Sequence, residues 1–183
     1  MTILLFCSII VGMESISQAK ISPTFKLNQH VVYPLQGVGM ITAIEEKEFK
    51  GNDILYYIIY LEISDMTVMV PVDKAEELGI RAIVSKKESQ KALAHIALEH
   101  EPITADWKLR YQMNLDLLKS GSVIDIATVV RTLYHRSKVK ELPIQERKLF
   151  DNAMKILVDE ISFSLNKEKV DVEDLIFNSL ETE

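Results

Sequence analysis

The spacing of apolar residues changes near residue 84, and this change constrains the fold more than any other feature of the chain. Before it, from about residue 25, apolar residues form short runs rich in Val, Ile and Tyr that are separated by turn residues, which is typical of β-strands. After it they recur every three or four positions, which predicts amphipathic helices. The 183 residues therefore predict an α+β protein with a small strand-rich domain followed by a helical one.

The first domain is predicted to contain four or five short strands. Their segments are residues 30–33, 40–49, 54–63, 66–71 and a closing strand within 79–84. Gly37 and Gly39 predict a bend or bulge, and residues 50–53 (Lys-Gly-Asn-Asp) predict a hairpin turn. The segment 54–63 is almost continuously apolar, as expected of a central strand buried on both faces. Short strands at this density predict a small antiparallel barrel of the SH3 or Tudor type.

The second domain is predicted to be a compact all-α unit of about five helices. Residues 85–88 form the pattern of a capping box, residues 120–122 end one helix and begin the next, and Pro143 suits the first turn of the fourth helix. Residues 170–180 predict the last helix. In the second helix the apolar stripe consists of Trp107, Tyr111, Leu115 and Leu118.

The predicted domain boundaries are 24–84 and 85–183, which leaves residues 1–23 as an extension. Residues 3–11 are apolar, but no Lys or Arg occurs before Lys20, and the run is shorter than the ~20 residues of a membrane span. We favour a disordered extension or a wrongly assigned start, with Met13 as the start of the protein. A cleaved or anchoring signal and a genuine added element are the alternatives.

The charge distribution places a basic middle region in an acidic chain. The net charge is −6, which by itself disfavours nucleic acid as a partner. Residues 1–103 carry 9 basic and 13 acidic side chains, residues 104–155 carry 10 and 6, and residues 156–183 carry 2 and 8, which gives −4, +4 and −6. Because salt screens charges beyond ~10 Å, a partner senses the local sign more than the total. The helical domain therefore keeps a candidate surface for nucleic acid, followed by an acidic tail.

Sequence patterns of catalysis and of metal binding are absent. No phosphate-binding loop, HExxH or GxSxG motif occurs, and the adjacent acidic pairs lack the apolar setting that tunes a carboxyl group as an acid. The four histidines are scattered, and the single cysteine, Cys7, excludes an internal disulfide. The sequence therefore predicts a protein that is not an enzyme and that needs no cofactor or metal.

A series of short segments with characteristic spacing extends across both predicted domains. In the first domain these segments are 25–34 (FKLNQHVVYP), 37–39 (GVG) and 69–71 (MVP). In the second they are 106–111 (DWKLRY), 118–121 (LKSG), 129–134 (VVRTLY) and 146–148 (ERK). In order and spacing the series resembles the CarD/CdnL family of bacterial transcription regulators over about residues 24–180. The first domain is also similar to the polymerase-interacting module of transcription-repair coupling factors, although this chain has no helicase motor.

The resemblance implies a function for each domain. In this family the Tudor-like domain pairs an edge strand with the β subunit of RNA polymerase. The helical domain contacts promoter DNA at the upstream edge of the transcription bubble, where a tryptophan wedges into the minor groove and supports the open complex. The resemblance therefore implies a monomeric, cytoplasmic regulator that reaches the nucleoid through the polymerase. Its DNA contact would be weak and largely independent of sequence, and no membrane would be a partner.

Carried onto this sequence, the resemblance assigns DNA contacts to six residues. They are Trp107, Lys108, Arg110, Arg131, Arg147 and Lys148. An apolar wedge and phosphate contacts from Lys and Arg suit sequence-tolerant binding. By spacing alone, Trp107 equally fits the core-facing stripe, and each basic residue equally fits a solvated face. Leu109 and Gln112 stand where relatives often carry Arg or Lys, so we expect a modest affinity for DNA.

The resemblance also assigns polymerase contacts to Lys47 and Phe49 on one strand and to Met69, which replaces a common Arg, on another. An unpaired edge strand is a template for pairing with a partner strand. The alternative is that these three positions are ordinary strand surface. A second hypothesis for the whole chain is a non-catalytic adaptor in which each domain binds a protein. A basic surface around Trp107 favours DNA, whereas a neutral or acidic one favours the adaptor.

Overall fold

The computed structural model describes residues 22–98 and 106–181. The expectation for residues 1–23 therefore falls, except for Ser22 and Pro23, outside the described residues. The strands are β1 (His30–Tyr33), β2 (Gly37–Phe49), β3 (Asn52–Leu61), β4 (Met66–Pro71) and β5 (Arg81–Ala82). The helices are α1 (Lys86–Ile96), α2 (Trp107–Ser120), α3 (Val123–Val139), α4 (Ile144–Leu165) and α5 (Lys169–Leu180). The predicted α+β order, strands first and helices second, is confirmed.

The five strands form one antiparallel sheet in the order β4-β3-β2-β1-β5. The predicted hairpin turn joins β2 to β3, where Lys50 and Gly51 both have positive φ (53° and 79°), as the tight turns of β-hairpins require. The expected bend is present before Gly37: residues 34–36 form the turn between β1 and β2, and Gly37 has positive φ (88°), whereas Gly39 lies inside β2. A Cβ atom at Gly39 would stand 2.7 Å from Ile59 Cγ2, so close strand packing explains this glycine. The irregularity in β2 lies instead between Ile41 and Ala43.

The two faces of the sheet differ in burial. On one face the side chains of Tyr57, Ile59 and Leu61 in β3 are fully buried and form the core of the sheet with residues such as Val31 and Ile41. The alternating residues of β3, Ile54, Tyr56, Ile58 and Tyr60, are only half-buried. The expectation that this strand is buried on both faces was therefore wrong. Its apolar run continues because one face packs inside while the other forms a surface.

Local sequence signals set the helix ends. Ser85 and Glu88 complete the predicted capping box before α1: the Ser85 hydroxyl accepts from the Glu88 backbone N–H, and the Glu88 carboxylate accepts from the Ser85 backbone N–H at 2.9 Å. Asp106 caps α2 and Ser122 caps α3 with their side chains. Between those two helices Gly121 closes α2 in the left-handed conformation (φ 71°).

Three of the four residues of the predicted apolar stripe of α2 pack on the helical core: Leu118 is buried, and Tyr111 and Leu115 are partly buried against it. Trp107, at the head of the stripe, is instead 36% exposed. The other buried positions of α2 are Arg110 and Asn114. Apolar periodicity alone does not indicate that a charged residue is buried here.

An ion pair joins the sheet to the helices. The guanidinium of Arg81 in β5 binds the carboxylate of Glu160 in α4 (Nη2–Oε2 2.9 Å) and donates from Nε to the carbonyl of Gly121 at 2.8 Å. Glu160 is fully buried and also accepts from the backbone N–H of Val84 at 3.2 Å. Strand β5 and α1 lie on either side of the domain boundary predicted near residue 84. The boundary itself remains a prediction, because α4 also packs on β2.

Candidate functional site

The three candidate polymerase contacts lie on the half-exposed face of the sheet. Lys47 and Phe49 are two residues apart on β2, so both side chains leave the sheet on one side. Met69 on β4 is opposite Ile58 on β3, which in turn is opposite Ala43 on β2, and this register places Met69 on the same side. The sheet therefore brings together residues that are 22 positions apart in the chain.

This face combines exposed apolar groups with one cation. Phe49 is 53% exposed and Met69 is 51% exposed. Lys47 reaches over the intervening strand to Met69, with its Nζ 3.3 Å from Sδ, and also lies 3.3 Å from the carboxylate of Glu45. Met69 belongs to an edge strand: β4 pairs with β3, and no described residue pairs with its other side. We refer to Lys47, Phe49, Met69 and the free edge of β4 as the sheet surface.

A second candidate surface begins at the N-terminus of α2. Trp107 is the first residue of the helix and Lys108 the second, and both are exposed. The Lys108 Nζ lies 5.9 Å from the centre of the Trp107 ring, which is within cation–π distance. A flat apolar ring with a cation beside it suits contact with a stacked base and its phosphate.

The first turn of α4 presents two more of the predicted residues. Arg147 and Lys148 are exposed, and Arg147 Nη2 lies 3.0 Å from Oε1 of Glu141 in an ion pair open to solvent. Ile144, the first residue of this helix, is 73% exposed. The positive end of the α4 dipole adds to the attraction for a phosphate at this position.

Arg110 does not present its side chain for DNA contact, contrary to the sequence-based expectation. The residue is 3% exposed, and its Nε and Nη2 each lie 2.7 Å from an oxygen of Glu146, which is fully buried. Because Arg110 lies in the first turn of α2 and Glu146 in the first turn of α4, this two-bond ion pair holds the two helix starts side by side. Trp107, Lys108, Arg147 and Lys148 together form what we call the helix-start surface.

The side chain of Arg131 is engaged within the protein. It is on α3, where it donates from Nη1 to the backbone carbonyl of His95 near the C-terminal end of α1, at 2.9 Å. Burial lowers the pKa of its guanidinium. The structure therefore supports a role for Arg131 in packing α1 against α3, and the expectation of a phosphate contact does not fit this position.

Sequence reasoning missed two fully buried carboxylates of α4, Glu146 and Glu160, which each bind an arginine. Both lie on the inner side of an amphipathic helix, where a charged residue is uncommon. Their partners, Arg110 and Arg81, are 36 and 79 positions distant in the chain. The only signal in the sequence was a Glu at a helix position where the apolar periodicity predicts a buried apolar residue.

Among residues 22–98 and 106–181, no group of three or more His, Cys, Asp or Glu side chains is arranged to hold a metal ion. No helix within these same ranges is long and apolar enough to cross a membrane. Fold and surfaces together define a class: a protein with a β-sheet module and a helical module, each carrying an exposed candidate surface.

Comparisons with known proteins place the chain within this class. Residues 25–84 match the family described as CarD-like/TRCF RID domain, and residues 91–177 match the family described as CarD, C-terminal domain. A protein of Bacillus subtilis (strain 168), named "Putative transcription factor YdeB", is 39% identical over 141 residues, which cover 75% of this chain and 90% of that protein. The chain belongs to the CarD family. It is a transcription-associated protein with an RNA polymerase-interacting domain.

Proposed function

We propose that the protein docks on the β subunit of RNA polymerase through the sheet surface and sets the helix-start surface on promoter DNA. Contact at the upstream edge of the bubble, with Trp107 as the wedge in the minor groove, then stabilises the open complex. The observation that carries this proposal is the exposed Trp107, flanked by Lys108 and joined through Arg110 and Glu146 to the basic first turn of α4.

Because docking tethers the protein to the polymerase, a small basic surface is sufficient for its contact with promoter DNA. Three exposed cations, Lys108, Arg147 and Lys148, offer few phosphate contacts, and the chain as a whole carries a net charge of −6. Docking on the polymerase raises the effective concentration of the helical module at the promoter, so that weak and sequence-tolerant binding is enough. Partial unstacking of a base step costs a few kcal/mol, and contact with the distorted DNA offsets that cost.

The wedge is tested by the lifetime of open complexes formed with polymerase holoenzyme. The wild type should lengthen this lifetime and Trp107→Ala should lose most of the gain. Leu109→Ala is the matched control, because Leu109 is an exposed apolar residue (57%) of the same helix turn that points to another side. An unchanged lifetime with the wild type would refute the proposal for that promoter. Equal lifetimes with Trp107→Ala and wild type would refute the wedge alone.

The docking step is tested by the affinity of the protein for the polymerase β subunit. Met69→Glu should weaken binding, because it places a carboxylate on the sheet surface. Met66→Glu is the matched control: Met66 is on the same strand with similar exposure (46% against 51%) but an odd number of residues away, so it points to the other side. Equal weakening by both variants would mean that the predicted face is not the contact.

The adaptor remains a second candidate, because α2 also exposes the apolar pair Leu109 and Met113 (57% and 44%), four residues apart on one side of the helix. A protein partner would bind through this row, whereas DNA would not require it. The two candidates are separated by Leu109→Ser with Met113→Ser. This double variant should leave open-complex lifetime unchanged if DNA is the partner of the helical module.

A further inference from the structure

The ion pair between Arg110 and Glu146 lies directly beneath the helix-start surface. Both side chains are almost wholly removed from solvent, and the guanidinium binds both carboxylate oxygens in a two-bond, planar arrangement. Such geometry restricts orientation as well as distance, because each of the two bonds fixes a direction. Apolar side chains of similar volume would pack here as stably, or more stably, than a buried ion pair. Stability alone therefore does not account for a charged pair at this site.

The pair connects the two turns that carry the exposed candidate residues. Arg110 follows Trp107 by three positions in α2, and Glu146 immediately precedes Arg147 in α4. A fixed orientation between these turns sets the position of the Trp107 ring relative to the cations of α4. We propose that Arg110 and Glu146 are positioning residues, which hold the wedge and the phosphate contacts in one geometry without touching DNA. This inference rests on the proposed function, since it specifies how the same surface is assembled.

The single tryptophan of the chain allows the inference to be tested without polymerase. The fluorescence anisotropy of Trp107 and its quenching by acrylamide report on the mobility and exposure of the wedge. With Arg110→Met combined with Glu146→Leu, we expect lower anisotropy and stronger quenching than in the wild type, while the urea midpoint of unfolding stays at or above the wild-type value. Unchanged Trp107 signals in this folded variant would overturn the inference.

A matched control lies in the same helix. Glu160 of α4 is also fully buried and paired with an arginine, Arg81, but it is roughly 20 Å from Glu146 along the helix axis. Glu160→Gln removes a charge from a comparable ion pair and should leave the anisotropy and quenching of Trp107 unchanged. The single variant Glu146→Gln is the counterpart at the proposed positioning pair. If both variants changed the anisotropy and quenching of Trp107 equally, any loss of a buried charge would loosen the helices, and the inference would be overturned.

The lifetime of open complexes then tests whether the position of Trp107 affects promoter opening. The apolar double variant should shorten open-complex lifetime to the level of Trp107→Ala, and the exchange Arg110→Glu with Glu146→Arg should restore part of it. Adding Trp107→Ala to the apolar double variant should shorten the lifetime no further, since coupled residues give non-additive effects. A wild-type lifetime with the apolar double variant would overturn the inference and leave the proposed function intact. If Trp107→Ala has no effect, the wedge step of the proposed function fails, and the fluorescence still decides whether the pair positions the ring.

Discussion

At the scale of single residues, Arg110 shows that the role of a charged side chain depends on its burial. An exposed arginine beside a tryptophan is a phosphate ligand, whereas a buried one must be neutralised within the protein. Glu146 supplies this partner from a helix 36 residues farther along the chain. The cations that remain for DNA at this surface are Lys108, Arg147 and Lys148.

The first prediction concerns the stability of this pair. Glu146→Ala should lower the free energy of unfolding by about 3–5 kcal/mol, because it leaves the guanidinium of Arg110 buried without its carboxylate. Arg110→Met combined with Glu146→Leu should recover this loss in full. Urea unfolding measures both values. Glu141→Ala, which breaks the exposed pair with Arg147, is the control and should cost less than about 1 kcal/mol.

The second prediction concerns His95, which lies between α1 and α3. Its Nε2 is 2.8 Å from the hydroxyl of Thr128. Burial, and after it the positive charge of Arg131, lowers the pKa of the imidazole, while Asp125 opposes the shift. A lowered folded-state pKa means that the unfolded chain binds the proton more readily. This contribution to stability is therefore complete above the unfolded pKa of about 6.5 and decreases as the pH falls below it.

For this reason His95→Gln should reduce the drop in melting temperature between about pH 7.5 and 5.5 relative to the wild type. The difference should persist in about 1 M salt, because burial is the main cause and salt screens only the contribution of Arg131. An equal drop in both proteins would show that His95 does not link protonation to folding.

At the scale of elements, neighbouring residues determine where a helix begins and ends, whereas they do not determine which face of the helix is buried. The capping box of α1 was predicted from Ser85 and Glu88 and is present, because it needs only neighbouring residues. The hairpin between β2 and β3 was predicted for the same reason. The inner face of α2 was predicted only in part, because the burial of Arg110 depends on a carboxylate in α4.

The third prediction concerns this capping box. Ser85→Ala should lower the free energy of unfolding by about 1 kcal/mol, since the first turn of α1 loses a side-chain acceptor. Thermal or urea unfolding measures the change. Lys87→Ala, at an exposed position of the same turn, should change stability by no more than about 0.5 kcal/mol. A loss with Lys87→Ala as large as with Ser85→Ala would argue against the cap as the cause.

At the scale of the whole molecule, ion pairs link the two modules at two places among the described residues. Arg81 binds Glu160 and so connects β5 and the turn after α2 to the later part of α4. A second link, weaker because it is more exposed, runs from Lys169 to Glu62 and Asp159. The proposed function, in which one module docks and the other acts, requires a defined distance between the two surfaces, and we infer that these pairs help to hold it.

The fourth prediction tests the first of these links. Glu160→Gln should accelerate hydrogen exchange at the Val84 amide and in β1 and β5, because Val84 loses a carboxylate acceptor and β5 loses its anchor. Exchange in β4 should stay at the wild-type rate, since this strand is at the opposite edge of the sheet from β5. Faster exchange throughout the protein would indicate global destabilisation instead of local opening.

The fifth prediction concerns salt. With three phosphate contacts from Lys108, Arg147 and Lys148, the slope of log Kobs against log salt concentration for duplex DNA should be about −3. Lys148→Ala should reduce its magnitude by about 1. Arg131→Ala is the control and should leave the slope unchanged, because this side chain binds the end of α1. A change in slope with Arg131→Ala would mean that Arg131 contacts the DNA phosphates.

The amino-acid sequence by itself determined the succession of strands and helices, the turns and caps, and the family. These features depend on residues that are near one another in the chain, such as Ser85 with Glu88 or Lys50 with Gly51. Only the tertiary structure decided which face of β3 is partly exposed to solvent and which arginines pair with buried carboxylates. The pairing of Arg110 and Arg81 depends on carboxylates 36 and 79 positions away, so Arg110, which the sequence presents as a DNA ligand, is bound to Glu146 inside the protein.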